Sequence, residues 1–480
     1  MRRERLCIYH CGIQSHIKQE SAEFVKLPMV EKPLPWKGIY DGGYLTKRYP
    51  LLKSGSKRAL ELAQASEGIS NVHKALNAIQ ATPWRINSRI LGVINECKQE
   101  GIGRLPAFKR SIPESADEKR EASKQWKQEE PERQKLMRQL WLADAFKDES
   151  EFYFPWNLDW RGRLYPLFTI PVHPQSDNVG KSLIEFARGK HLGKDGAYWL
   201  AVHGANCHGE SDKESHDDRV KWIENHEADI LNSAKDPMGN TDFWTEAEES
   251  FQFLAFCFEW QRYREQGDSF ISHLPVAIDA SCNGIQHLSH LAGDIYAAFL
   301  VNAAHRIPHD MKPQDFYQKV ADKVTELVDE DANNGHKTAQ LWQGKVTRKI
   351  VKRNVMTLPY GATLEGFRGQ LLTELKKLDA KSETGSYLGV KANREVCSYF
   401  AEKNHQAIKS TSSKIMKTMK GYQEFAKLIA KDDDPFGLKK AFMQKLLIST
   451  KSPQKREKKG GPFPWLSCLR CRDHGRCHLG

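Results

Sequence analysis

Apolar residues fall at helical spacing over most of this chain. Between 56 and 100, Leu60, Leu62, Ala63, Val72, Ala75, Leu76, Ile79 and Ile86 mark the core contacts of helices that Pro83 interrupts. From 110 to 137 charge is dense and apolar residues are few. With Pro113 and Pro131 as breaks, that stretch predicts a solvated helix pair or a mobile excursion. Leu136, Leu140, Leu142, Ala145 and Phe146 then resume an amphipathic helix. Further helices are predicted at about 194–205, 211–234, 246–264 and 312–331. Phe251, Leu254, Ala255 and Phe258 form the stripe of one of these, and Phe316, Val320, Val324, Leu327 and Val328 the stripe of another. Amphipathic helices continue through 364–430. Period-two alternation is clear at Leu274, Val276 and Ile278, which predicts a strand with one buried face and Pro275, Ala277 and Asp279 on the other. Residues 27–52 are rich in Pro, Gly and aromatics and predict an ordered, irregular loop over a core. Residues 1–26 carry no clear pattern.

Composition narrows the partners. A chain of 480 residues and 54.9 kDa is too long for one ordinary core. Lys and Arg number 73 against 61 Asp and Glu, a net charge of +12, which suits a polyanion and nucleic acid first. A merely basic soluble protein has the same balance. Mean hydropathy is −0.64 and no long apolar run occurs, so no membrane partner is expected. The opening MRRERLCIYHCGIQ has no signal-peptide core, and the ten Cys are mostly scattered singly, as reduced, packed thiols are. A cytoplasm-like compartment is the expectation.

Candidate chemistry lies in three stretches. In VTRKIVKRNVMTLPYGATLEGFR, residues 346–368, Arg348, Lys352, Met356 and Tyr360 recur every fourth residue, and Gly361 follows the ring. On a helix they form one row, able to grip a triphosphate with two cations and to stack or measure a nucleoside with a phenol. A basic surface helix with a half-buried Tyr fits the same spacing. Pro359 predicts a kink just before Tyr360. In SHLPVAIDASCNGIQH, Asp279 ends the predicted strand beside small residues. Mg2+ prefers one or two carboxylates completed by phosphates and water, and Asp279 suits that habit; it also suits a helix cap. In EFYFPWNLDWRGRLYPL, residues 151–167, aromatics alternate with Arg around Asp159, Gly162 and Arg163. That mixture fits bases and backbone phosphates together, or a Trp-rich core turn. Cys7, His10 and Cys11, the pair His203 and Cys207, and Cys468, Cys471, His474 and Cys477 are weak metal patterns.

Arg-x3-Lys-x7-Tyr-Gly resembles the fingers helix of the right-hand polymerases, and KRNVMTLPYG resembles the phage-type, single-subunit, DNA-dependent RNA polymerases in particular. PWNLDWRGRLYPL and DASCNGIQH resemble two further motifs of that family, in the family's order. The resemblance spans roughly residues 27–430. It implies an α/β, helix-rich fold with right-hand polymerase architecture: thumb, partial palm and partial fingers. By order, 1–63 corresponds to a remnant of the N-terminal domain, 64–149 to a thumb-like helical region, 150–307 to palm and 308–432 to fingers, leaving 433–480 as a divergent tail. It implies template-directed transfer of ribonucleotides to an RNA 3′ end by a two-metal mechanism with Mg2+. The implied partners are double-stranded DNA template, RNA transcript and ribonucleoside triphosphates. A phage-encoded chain would act in the bacterial host cytoplasm. Asp279 would bind metal, Lys352 would neutralise or protonate the leaving phosphate, and Arg348 would grip the triphosphate. Asp159, Gly162 and Arg163 would contact template and hybrid. Family A DNA polymerases share the Arg-x3-Lys-x7-Tyr-Gly helix but carry a Glu five residues after the metal Asp. Gly284 stands there in this sequence, so ribose is expected to be admitted, with Tyr360 sensing the 2′ position.

The family's His-Asp-Ser motif, with its second metal Asp, does not occur after residue 361, and no promoter-specificity loop is recognisable. The expectation is a chain cut short at both ends, feeble by itself unless a second polypeptide supplies the missing palm motif. A non-catalytic nucleic-acid-binding remnant and a family A DNA polymerase fragment are the alternatives.

Overall fold

A computed structural model of the protein describes residues 26–53, 57–65, 69–110, 116–159, 162–304, 308–382 and 385–430. Trp160, Arg161, the Cys7–Cys11 cluster and the Cys468–Cys477 cluster lie outside them. The chain forms two compact units, with the boundary between Ala277 and Ile278.

In the first unit, 27–52 is more regular than its composition suggests. Strands β1 (Leu34–Gly38) and β2 (Asp41–Gly43) make an antiparallel pair, and β3 (Leu52–Lys53) follows. Helix α1 spans Lys57–Gln64 and α2 Ile69–Gln80. Polar groups of α2 pin the hairpin: Asn77 Oδ1 accepts from Trp36 N at 2.7 Å, and Gln80 Nε2 donates to the Leu34 carbonyl at 2.7 Å. The chain then makes β4 (Trp84–Ile86) and α3 (Ser88–Cys97).

Helix α4 runs unbroken from Ala116 to Phe146, with Pro131 inside it, so the break expected at this proline does not occur. Its neighbours are strong helix formers, and Arg133 adds side-chain ties across the same turns. The Arg133 guanidinium donates to the Trp126 carbonyl, stacks 3.7 Å from the Trp126 ring and pairs with Glu129 and Glu130. Strands β5 (Trp156–Asp159) and β6 (Leu164–Pro166) form a hairpin, and β3 joins β5 in parallel. Strand β7 (Ile184–Phe186) pairs with β4, and β8 (Lys190–His191) with β9 (Ile271–Ser272). Helices α5 (Gly193–His208), α6 (His216–Asn225) and α7 (Glu227–Lys235) gather around α8 (Ser250–Gln266). Phe251, Phe253, Leu254, Phe256, Phe258 and Trp260 of α8 are all buried, which makes it the central helix of this core.

The second unit is helical throughout its described residues: α9 (Asn283–Ala292), α10 (Ile295–Leu300), α11 (Phe316–Asn333), α12 (Lys337–Trp342), α13 (Arg348–Thr357), α14 (Leu364–Lys381), α15 (Arg394–Thr411) and α16 (Ser413–Ala430). The predicted stripe of α11 is buried at Phe316, Val320, Val324 and Val328, with Leu327 at its margin. Capping starts several helices where the sequence places Asp, Thr or Asn: Asp315 for α11, Thr347 for α13, Thr363 for α14 and Asn393 for α15.

The strand predicted from Leu274 to Asp279 is not formed. Val276 is 42 % exposed and Ile278 81 % exposed, so the alternation does not bury a face. Among the described residues no strand lies alongside to take the backbone hydrogen bonds of this segment, and an unpaired strand has no ladder to hold it.

Candidate active site

Helix α13 carries the basic row as its exposed edge. Ile350, Val351, Asn354 and Val355 face the core, while Lys352, Met356 and Tyr360 are exposed and Arg348 is half-buried. The roll of α13 is set by a buried amide network. Asn354 Nδ2 donates to Gln370 Oε1 on α14 at 2.9 Å, and Asn404 Nδ2 on α15 donates to Asn354 Oδ1 at 3.0 Å. A rotated α13 would strand these amides without partners, which costs more than a surface hydrogen bond.

The kink predicted at Pro359 is a change of helix type. The α-helix ends at Thr357 and Leu358–Tyr360 forms a single 3-10 turn. Pro359 occupies the start of that turn, where a missing N–H is harmless. Gly361 closes it with φ of 82°, a left-handed conformation that favours glycine. Tyr360 is left 57 % exposed.

Asp279 is exposed in the segment before α9, and one carboxylate oxygen accepts from Ala280 N at 2.8 Å. Of the two roles open to it, the helix cap falls to neither this side chain nor another: the residue before α9 is Cys282, which makes no side-chain cap bond. A single open carboxylate fits Mg2+ when substrate phosphates and water complete the shell. Among the described residues no group of three or more His, Cys, Asp or Glu side chains is placed to hold a metal by itself.

Three contacts fasten the Asp279 turn to the elements around α13. The Cys282 thiol lies beside the Tyr317 phenol of α11, close enough for the two groups to interact. The Tyr317 ring lies 5.2 Å from Arg348 Cζ and 5.8 Å from Lys352 Nζ, within cation–π range of both. Burial raises the Tyr317 phenol well above its ordinary range, the neighbouring Cys282 thiol adding to it, and burial raises the Cys282 thiol as well. Both groups are therefore neutral at physiological pH. Ser281 Oγ accepts from Asn302 Nδ2 at 3.1 Å, and Asn302 also bonds the backbone of Gln314. Gly284 approaches Pro359 so closely that a Cβ placed on it would lie 2.7 Å from the proline Cγ. Because Cys282 is three residues from Asp279, the chain can separate their Cα atoms by no more than about 11 Å.

Arg348 is engaged in this structure. Its Nε donates to Asp315 Oδ2 at 2.5 Å, while Asp315 Oδ1 accepts from Tyr317 N and Gln318 N at the start of α11. Asp315, Tyr317, Asn302 and Pro359 escape a reading by spacing. Asp315 carried a signal as the acidic residue just before a strong apolar stripe, and Pro359 carried one as the expected kink before Tyr360; Tyr317 and Asn302 carried none.

The stretch around Asp159 is in the first unit. The Asp159 carboxylate accepts from Arg163 N at 2.9 Å, and Gly162 has φ of 82°, so both hold the turn between β5 and β6. The Arg163 side chain is exposed beside it. The aromatics before this turn are not available to bases: Phe152, Tyr153, Phe154 and Trp156 are buried, while among the described residues of the stretch Tyr165 is an exposed ring. Of the metal patterns, His203 and Cys207 are buried on α5, with Nε2 and Sγ 3.6 Å apart, as packing residues are.

Comparison with known proteins agrees with the motifs. The family model for DNA-dependent RNA polymerase matches residues 190–470, and that for the DNA-directed RNA polymerase N-terminal region matches 11–81. Both reach further toward the ends than the motifs between 27 and 430. The DNA-directed RNA polymerase of Enterobacteria phage K11 is 34 % identical over 449 residues, covering 84 % of this chain and 48 % of that protein. T7 RNA polymerase of Escherichia phage T7 is 34 % identical over 449 residues, covering 84 % and 50 %. The mitochondrial DNA-directed RNA polymerase of Neurospora crassa is 36 % identical over 374 residues, covering 73 % and 26 %. The chain spans about half the length of the phage relatives it matches. With this identity over most of its length, and a family model matching more than half of it, the chain belongs to the phage-type DNA-dependent RNA polymerases.

Proposed function

We propose that this chain carries the nucleotide-binding part of a DNA-directed RNA polymerase that adds ribonucleotides to an RNA 3′ end under the direction of a DNA template. The observation that carries the reading is the fastening of the Asp279 turn to the helix bearing Arg348, Lys352 and Tyr360. Asp279 is the residue to hold Mg2+, which when bound neutralises triphosphate charge and acidifies the attacking hydroxyl. Arg348 leaves Asp315 to grip the triphosphate, exchanging one charge-assisted bond for another. Lys352 neutralises the leaving pyrophosphate and is the group to protonate it. Tyr360 senses the ribose 2′ position, Gly284 leaves room there, and Gly361 sets the turn beyond the ring. Arg163, on the turn braced by Asp159 and Gly162, contacts the template–product duplex. In this scheme 64–149 acts as thumb, 150–307 as palm and 308–432 as fingers. The relatives come from phages, mitochondria and chloroplasts, and we place this chain in the cytoplasm of a bacterial host.

The test is extension of a primed DNA template with ribonucleotides and Mg2+. Extension by the wild type that Asp279→Ala abolishes, while DNA binding survives, is the expected outcome. Equal extension by both proteins would sink the assignment. Preferred incorporation of deoxyribonucleotides would favour the family A alternative.

A second reading concerns how much the chain does by itself. The sequence has no His-Asp-Ser after residue 361, and one carboxylate rarely fixes two metal ions. These 480 residues by themselves would then extend RNA weakly or bind nucleic acid without catalysis. Extension at ordinary polymerase rates by the purified chain would refute this.

A further inference from the structure

Gly284 has two explanations. The first is the nucleotide: a bare Cα leaves space for a ribose hydroxyl. The second is visible in the packing. A Cβ on residue 284 would lie 2.7 Å from Pro359 Cγ and 2.9 Å from Pro359 Cβ, distances that real Cβ atoms do not sustain. The proline ring is seated on the glycine. Tyr360 follows Pro359 directly, at the end of the one 3-10 turn that carries it.

That turn is held on its core side by Leu358, whose carbonyl accepts from Gly361 N at 2.9 Å. The Tyr360 ring is more exposed than buried. Gly361 beyond it is free to adopt other backbone angles, because a glycine pays little for either sign of φ. The stiff pyrrolidine fixes φ at residue 359, and its contact with Gly284 fixes where the ring stops. The height of the Tyr360 phenol relative to the Asp279 turn is thereby set by a residue on each side.

We propose that Pro359 is a positioning residue for sugar selection: through its seat on Gly284 it holds Tyr360 at the distance that tells ribose from deoxyribose. This rests on the reading of Tyr360 as the 2′ sensor. Pro359 itself touches no substrate. Triphosphate grip is assigned to Arg348 and Lys352, a full α-helical turn or more before the proline, so the two functions separate on mutation.

The experiment compares wild type with Pro359→Ala, Pro359→Val and Gly284→Ala. Each is titrated with ATP, dATP and inorganic tripolyphosphate in Mg2+, in competition with ATP carrying a fluorophore on its γ-phosphate. Melting temperature verifies that each variant is folded, and Pro359→Val serves if Pro359→Ala is not. The expected result is a fall of about threefold or more in the ATP-over-dATP preference for both proline variants, with tripolyphosphate affinity unchanged. Gly284→Ala should reduce the preference too, and less so in a Pro359→Ala background, where the nearest clashing atom is gone. Full preference in both proline variants, beside a wild type that prefers ATP, overturns the positioning role and leaves the Tyr360 reading intact. A wild type without any preference overturns both. Parallel loss of tripolyphosphate affinity would mean general loosening of the site and also overturns the proposal.

Discussion

Non-glycine residues with positive φ are uncommon, and among the described residues they are Arg104, Cys282 and Asn302. Two of the three flank the Asp279 turn: Cys282 at 59° lies beside Tyr317, and Asn302 at 58° donates to Ser281. Left-handed backbone at such residues costs roughly 1–2 kcal/mol each and survives where its surroundings insist on it. Arg348 is the second telling residue. Arg348→Ala should weaken triphosphate binding about tenfold or more, and Arg348→Lys should recover only part of it, since an ammonium lacks the planar fork. Competition titration with tripolyphosphate measures both. His203 answers a different question. Burial lowers its pKa to about 4, from an ordinary value near 6.5. The unfolded chain therefore binds the extra proton between those values, so stability is complete above about pH 6.5 and declines as pH falls toward 4. Through His203, acidification to pH 5 should cost up to about 2 kcal/mol; His203→Leu should remove that share in thermal melts at pH 7 and 5, leaving the share of His173, whose pKa burial also lowers to about 4.

At the level of elements, local pattern and tertiary neighbours decided different things. The stripes of α8 and α11 were legible because a period of 3.6 places Phe251, Leu254 and Phe258, or Phe316, Val320 and Val324, on one face whatever they pack against. The Val276–Ile278 alternation misled because a strand is a property of two chains, and no partner strand is beside it among the described residues. The aromatics Phe152, Phe154 and Trp156 suit base contacts or a Trp-rich core turn by composition, and burial decides for the core. Pro131 misled in the other direction. A helix-interior proline costs about 3 kcal/mol relative to alanine, and α4 carries it. Pro131→Ala should accordingly raise amide-exchange protection around 124–138 and strengthen α4 by up to about 3 kcal/mol, as hydrogen exchange would register.

For the whole molecule, each unit has its own buried core, one centred on α8 and the other on α11 and the helices that hold α13. No helix among the described residues is long and apolar enough to cross a membrane. The net charge of +12 bears on nucleic acid as a partner. If at least about four phosphates are neutralised on binding, affinity for duplex DNA should fall by about a hundredfold between roughly 50 and 200 mM salt, and a titration across that range checks it. A flat response would remove the electrostatic basis for the partner.

The sequence by itself determined where charge lies, which apolar stripes face the cores, as in α8 and α11, and the family to which the order of its motifs points. Those are properties of side-chain identity and short-range spacing, and they are written in the chain directly. Tertiary structure alone decided that Arg348 rests on Asp315, that Tyr317 underlies both cations, and that Pro359 lies on Gly284. Those contacts join segments distant along the chain, and close packing fixes them only when the whole core is assembled.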